Sequence, residues 1–327
     1  MEDTRQGSPP VIEVLVDAAI DIADAVRQVE LRAADGTPLP AFAAGDHVEV
    51  HLGPDLRRCY SLVGRPGTVT HAYRIAVALD PESRGGSKAV HALRAGQALT
   101  ISAPRSNFPL APGPAPAVLI AGGIGITPIL TMAYALNAED RPWQLHYAFR
   151  SPAAAALLPE LSTLAAPCPE SVRLYPDEPT GRPSIDISAL VTAAPPNAEL
   201  YCCGPAGMLD AFATATRDLD PARVHVERFT REAPLVPGGD ALTVRLNRSG
   251  LTLQVGPEDS ILEAVLDAGV DVEYSCMEGI CGSCRTRVLR GVPDHRDLVL
   301  TDQERAGEDI MMICCSRAKG DDLELDL

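Results

Sequence analysis

The chain has little that would carry it to a membrane, out of the cell or onto a nucleic acid. Its first ten residues, MEDTRQGSPP, include acids and lack an apolar core segment, so they do not read as a secretory signal. The longest apolar runs, such as AVLIAGGIGITPIL, are broken by glycines and a proline and fall short of a bilayer span. Basic charge is scarce. Only 28 Lys and Arg face 44 Asp and Glu, a net charge of −16, the wrong sign for a phosphate backbone. There is no internal repeat, low-complexity tract, nucleophile elbow or Walker loop. The seven histidines (47, 51, 71, 91, 146, 225 and 295) show no metal-ligand spacing, and His295, in PDHRD, reads as structural or superficial. The expectation is a soluble, cytoplasmic protein whose acidic surface suits a positively charged partner.

A chain of 327 residues is long for one core and suggests two or three domains. Residues 11–112 hold short alternating segments (VIEVLV, VRQVEL, HVEVHL, YRIAVAL, ALTIS) separated by turn signals, the pattern of an antiparallel barrel or sandwich. A Pro/Ala/Gly hinge, APGPAPA at 111–117, ends that region. Strands then alternate with helices, including one around 154–164, which argues for a parallel α/β sheet. A second linker, APLVPGGD, covers 233–240. The remainder, 241–327, reads as two strands, a helix from about Ser260 to Ala268 opened by a Ser260–Glu263 capping box, a cysteine loop, and the strands TRVLRG and MMICC. Residues 240–327 hold 18 Asp and Glu against 9 Lys and Arg, a net −9, so about a quarter of the chain carries over half of the excess charge.

Nine cysteines, an odd number without a secretory context, point away from disulfides. Three of them fall in CMEGICGSC, where Cys276, Cys281 and Cys284 have the spacing C-x4-C-x2-C. A further cysteine, Cys314, follows after a gap of 29 residues. This is the plant-type [2Fe–2S] pattern, in which four thiolates converge on two irons. Gly279 and Gly282 supply the backbone freedom that close wrapping requires. A zinc site usually shows paired C-x2-C motifs, and this loop has one. Spacing alone leaves the fourth ligand open between Cys314 and Cys315.

The stretch CMEGICGSCRTRV, with the later MMICCSRAKGDDLELDL, resembles the carboxy-terminal ferredoxin domain of the phthalate dioxygenase reductase and vanillate O-demethylase reductase family. The resemblance assigns the fourth ligand to Cys314 and makes Cys315 a buried neighbour. It extends over nearly the whole chain, in the order flavin, nucleotide, ferredoxin. It implies an antiparallel β-barrel FMN domain over 1–112, an α/β parallel-sheet NAD(P)H domain over 113–232, the linker 233–240, and an α+β (β-grasp) plant-type ferredoxin domain over 241–327.

Two further sets of motifs fit this resemblance. Arg58, Tyr60 and Ser61 lie in RRCYSL, and Gly85, Gly86 and Ser87 lie in RGGSK ahead of a helix whose start could hold a phosphate. They resemble the R-x-Y-S and G-G-S elements of flavin reductases, where Arg58 and Ser87 would hold the phosphate region, Tyr60 would pack on the flavin and Ser61 would bond near its reactive nitrogen. Gly123, Gly125, Thr127 and Pro128 lie in GGIGITP, and Cys203, Gly204 and Pro205 in YCCGPAGM. These match the nucleotide loop and the C-G-P element of the ferredoxin-reductase superfamily, with Cys203 against the nicotinamide and Ser61, Thr127 and Cys203 around the reacting atoms. Phe229, in VERF, would sit near the flavin or pack the linker. Arg150 and Ser151 would lie near the adenosine ribose, where NADH is expected although the pair could also serve a 2′-phosphate.

The resemblance implies an NADH-dependent reductase, a monomer, that passes electrons from NADH through FMN and a [2Fe–2S] centre to a separate terminal Rieske-type oxygenase. Alternatives are the same chemistry with a free ferredoxin or a membrane hydroxylase as acceptor, or a redox sensor. No Rieske or facial-triad pattern is visible, so oxygenation is not expected of this chain itself.

Overall fold

The computed structural model describes residues 11–54, 56–177, 185–229 and 238–327. The N-terminal ten residues and most of the linker assigned to 233–240 lie outside the described residues. Two compact units emerge, residues 11–229 and residues 238–327, each with its own core.

In the first unit, alternating apolar residues close a barrel. Its strands are β1 (Val11–Ala23), β2 (Val26–Ala33), β3 (Asp46–Gly53), β4 (Leu56–Val63), β5 (Tyr73–Ala78) and β6 (Ala98–Ser102), with α1 (Gly86–Ala92) between β5 and β6 and a short β7 (Arg105–Ser106) beside β3. The order β4-β5-β2-β1-β6-β3 returns to β4, and every pairing is antiparallel. Closure leaves these six strands without a free edge. Inward residues, among them Val14, Val16, Val29, Leu31, Val48, Val50, Leu62 and Ile75, form the interior.

Five parallel strands follow: β8 (Ala117–Gly122), β9 (Trp143–Phe149), β10 (Val172–Pro176), β11 (Glu199–Cys203) and β12 (Val224–Glu227). They stand in the order β10-β9-β8-β11-β12. The helices α2 (Ile126–Ala138), α3 (Leu158–Ala165), α4 (Ile187–Ala193) and α5 (Ala206–Ala215) cover the two faces. AVLIAG of β8 is buried throughout, as a central parallel strand must be. Leu119 and Ala121 pack with α2, while Val118 and Ile120 pack with α4 and α5. One apolar cluster runs from Ala44, Val63 and Phe108 of the barrel region into Ile126, Ile129 and Met132 of α2. The barrel and the α/β layer therefore share a core. The helix expected over 154–164 is shorter: a 3-10 turn at Pro152–Ala154 precedes it, and α3 starts after Leu157, which takes a φ of 61°. Pro159 sits in its first turn, where its missing N–H costs no helical bond.

The second unit is a five-stranded sheet in the order β14-β13-β19-β15-β17. Its strands are β13 (Leu242–Leu246), β14 (Thr252–Val255), β15 (Arg285–Arg290), β17 (Ile310–Met312) and β19 (Asp322–Leu325), with a two-stranded ribbon of β16 (Pro293–Asp294) and β18 (Arg317–Ala318). β13 and β19 pair in parallel and the other neighbours are antiparallel. The helix α6 (Ile261–Asp267) buries Ile261, Leu262 and Val265 in this core, and a short α7 (Asp302–Gly307) precedes β17. MMICC does not continue as a strand: β17 ends at Met312, and a turn in which the N–H groups of Cys315 and Ser316 both reach the carbonyl of Met312 carries Cys314 and Cys315. Arg317, 4% exposed, donates to the carbonyls of Asp240, Gly256 and Asp259 and so ties the start of the unit to the approach to α6.

The Ser260 capping box forms in full. Ser260 Oγ accepts the N–H of Glu263 at 3.1 Å, and the Glu263 carboxylate accepts the N–H of Ser260 at 2.9 Å. Replacing Ser260 by Ala should cost the second unit about 1 kcal/mol, read as a lowered midpoint for its transition in denaturant, with the first unit unchanged.

Candidate functional site

The first constellation grows from the alternation of β4. Tyr60 and Leu62 pack with the barrel interior, whereas Val63, and with it Ser61, faces the core shared with α2. Tyr60 and Ser61 therefore occupy opposite faces of one strand. Arg58 and Tyr60 share a face, and the Gly85–Gly86 turn is pressed against it. A Cβ at Gly86 would lie 2.7 Å from Arg58 Cγ and 3.2 Å from the Tyr60 hydroxyl. Gly85, just before α1, adopts a φ of 100°, which favours glycine. The Arg58 guanidinium is held over the turn by the carbonyls of Arg57 (2.7 Å) and Arg84 (3.4 Å). Burial pushes the Tyr60 hydroxyl above its ordinary range, so it stays protonated. The Ser87 hydroxyl accepts the N–H of Asp80 at 3.1 Å and keeps its own proton for a further acceptor. The arginine, the bare backbone and the hydroxyls are together in the way a flavin phosphate and ring would need.

The second constellation lies at the carboxyl ends of β8 and β11, where the sheet order switches direction. Open parallel sheets bind ligands in this crevice. Gly122–Gly125 and Cys203–Pro205 meet there at van der Waals limits. A Cβ at Gly125 would overlap the carbonyl oxygen of Cys203, one at Gly122 would lie 2.5 Å from Pro205 Cδ, and one at Gly204 would lie 2.6 Å from Met208 Sδ. Gly123 differs: it has a φ of 54° and nothing within 4 Å of its Cβ position, so its bare backbone faces open space. Thr127 and Pro128 sit in the first turn of α2, and the Thr127 hydroxyl donates back to the carbonyl of Ile124 at 2.9 Å. Ser151 caps the following 3-10 turn through Ala154 N–H, Arg150 is exposed, and Phe229 lies just beyond β12 with 38% of its surface open.

Cys203 is 1% exposed, and burial, the neighbouring Glu227 carboxyl and Cys202 push its thiol well above the ordinary range. Glu227 is the residue that motif reading missed. The parallel register sets it beside Cys203, and its Oε2 is sealed from water without a hydrogen-bond partner among the described residues. Burial raises its carboxyl to about 8. Nothing in VERF marks this acid, because its significance arises only when β12 docks against β11.

The third constellation is the cysteine loop. Cys276, Cys281, Cys284 and Cys314 are all between 4% and 9% exposed. Positive φ at Met277 (57°), Gly279 (69°) and Gly282 (73°) curls the loop inward. The N–H of Glu278 reaches Cys276 Sγ at 3.3 Å, the N–H of Cys276 reaches Cys281 Sγ at 3.4 Å, and the Cys281 thiol donates to Ser283 Oγ at 3.4 Å. Cys276 interacts with Cys281, and Cys314 with Cys284 and then with Cys315. These hydrogen bonds, followed by burial, push the Cys276 and Cys314 thiols far up. Soft sulfur donors with loop N–H groups turned towards sulfur fit a two-iron cluster, in which each iron takes two thiolates. Asp297 braces the loop: its Oδ2 accepts the N–H groups of Val299 (3.0 Å) and Leu300 (2.8 Å), and Leu298 N–H bonds the Gly279 carbonyl at 2.8 Å. His295 is buried beside Asp297, its side chain 9% exposed, rather than superficial.

Two outcomes follow from this geometry. Gly125→Ala should force α2 away from Cys203 and lower NADH-dependent dye reduction on the order of a hundredfold, with iron content unchanged, as stopped assays and iron analysis would read. Glu227 binds a proton in the folded chain that the unfolded chain releases near the usual carboxylate value. It therefore removes stability as pH rises from about 4.5 to about 8. Glu227→Gln should gain stability relative to the parent across that window in denaturation at fixed pH values, and a constant difference would contradict the assignment.

Residues 119–214 match the oxidoreductase NAD-binding domain and residues 244–319 match the 2Fe-2S iron-sulfur cluster binding domain. The phenoxybenzoate dioxygenase subunit beta of Ectopseudomonas oleovorans is 48% identical over 308 residues, 93% of this chain and 94% of that one. The solved structure of phthalate dioxygenase reductase, described as a modular structure for electron transfer from pyridine nucleotides to [2Fe-2S], is 36% identical with a TM-score of 0.71 and covers 97% of this chain and 98% of that one. An intact type IV self-sufficient cytochrome P450 monooxygenase is 38% identical with a TM-score of 0.86 over 97% of this chain, which spans only 41% of that longer protein. No helix among the described residues is long and apolar enough to cross a membrane. With its NAD-binding layer and its buried thiols on one polypeptide, the chain belongs to the phthalate dioxygenase reductase family of iron–sulfur oxidoreductases.

Proposed function

We propose that this chain is the NADH-dependent reductase component of a multicomponent Rieske-type oxygenase or demethylase, using FMN and a [2Fe–2S] centre. The observation that carries this reading is the occurrence, on one chain, of a glycine-lined nucleotide crevice and a cluster of buried thiols. When bound, FMN takes a hydride from NADH as an electron pair and an iron–sulfur centre accepts the electrons singly.

The protein's own groups bind, orient and exclude. Arg58, with the Gly85–Gly86 backbone and the Ser87 hydroxyl, neutralises the flavin phosphate, and Tyr60 and Ser61 approach the ring from the two faces of β4. Gly123, Gly125, Thr127 and Pro128 present the start of α2 to the nucleotide's phosphates, where backbone N–H groups and the helix dipole favour negative charge. Cys203, Gly204 and Pro205 form the opposite wall, with Phe229 at its rim. The buried Cys203 and Glu227 keep water from the reacting end of the crevice, and a protonated Glu227 adds no charge there. Cys276, Cys281, Cys284 and Cys314 hold the irons as thiolates.

The partner is a separate terminal oxygenase that meets the acidic second unit, with its net −9, through a basic surface. The related P450 structure favours a second reading, a haem monooxygenase as acceptor. Anaerobic titration with NADH should bleach a flavin band and bring up the EPR signal of a reduced two-iron cluster. Flavin bleaching without that signal, in protein that contains iron, would overturn the relay. Turnover with the oxygenase should fall steeply between about 0.05 and 0.5 M salt while dye reduction changes little. Equal turnover at both strengths would remove the electrostatic docking.

A further inference from the structure

Consecutive residues of a strand point to opposite faces, so a strand through MMICC would hide only one of its two cysteines in the core. The turn after Met312 changes this. Cys315 N–H and Ser316 N–H bond the Met312 carbonyl at 3.2 and 2.9 Å. Both Cys314 and Cys315 turn inward, 5% and 7% exposed. The Cys314 thiol is within hydrogen-bonding reach of Cys284 on one side and of Cys315 on the other. The sulfur of Cys315 also lies against the cysteine loop, 2.5 Å from the position a Cβ would take at Gly279. Its contacts to Met312 O and Ser316 Oγ are long, 3.7 Å each. The loop thus encloses five thiols where a two-iron centre uses four.

We propose that Cys315 is a second thiol competent to complete the iron–sulfur centre in place of Cys314. This rests on the four-cysteine reading above. In the exchange the bond from iron to Cys314 sulfur breaks and that sulfur takes up a proton. The Cys315 thiol releases a proton as its sulfur bonds the same iron. Iron, sulfide and electron counts are unchanged. The turn makes the exchange local, since both sulfurs already lie side by side and no strand pairing has to open.

The test compares iron content and reduced-state EPR in the full-length parent, Cys314→Ala, Cys315→Ala and the double variant. Cys315→Ala should match the parent. Cys314→Ala should retain at least roughly half the parent's iron and give a two-iron signal with shifted g values, whereas the double variant should keep less than about a tenth. Loss of iron in Cys314→Ala to the level of the double variant, with a normal parent, would overturn the proposal alone. A parent without a two-iron signal would overturn both readings. Should Cys314→Ala not fold, Cys314→Ser with X-ray absorption decides: all-sulfur coordination of both irons supports Cys315, and one oxygen ligand rejects it.

Discussion

The approach of two backbones, with no side chain between them, is the constraint on which the first unit depends. Gly125 can stand against the carbonyl of Cys203 only because it has no Cβ. That contact sets how closely the start of α2 lies to the end of β11. It therefore sets the width of the crevice at the sheet's switch point. Gly122 and Gly204 repeat the arrangement on either side, filled by Pro205 and Met208. One larger side chain at any of the three positions would wedge β8 from β11, and the nucleotide loop would lose its seat.

The second unit solves a different problem. Thiols are expensive to ionise in an apolar interior, and here hydrogen bonds to neighbouring cysteines, followed by burial, raise the Cys276 and Cys314 thiols far above the ordinary range. The loop that encloses them is bent by three positive-φ residues and braced from below by Asp297. Arg317, three residues beyond Cys314, gathers three carbonyls from two other segments. The residues nearest the proposed metal site thus also anchor the scaffold around it.

Much of this was legible in the sequence, because the informative residues are ones whose chemistry is local. The C-x4-C-x2-C spacing and the Ser260–Glu263 box each carry their meaning within a few residues. Period-two alternation foretold the strands of the barrel, and the change of texture after 117 foretold the parallel layer. What escaped depends on register and on distant partners. Glu227 matters only because β12 lies parallel to β11. The halt of β17 at Met312 is set by the turn that turns both thiols inward, not by any breaker in MMICC. The parallel pairing of Thr243–Leu246 with Asp322–Leu325 joins segments almost eighty residues apart, beyond any local pattern.

The apolar cluster that runs from the barrel into α2 has a consequence for how the chain can vary. The two flanking layers have no boundary across which one could be exchanged without exposing the other's interior. The second unit has a core of its own, built from residues that do not enter that cluster. The barrel and the nucleotide layer have to be inherited as one piece.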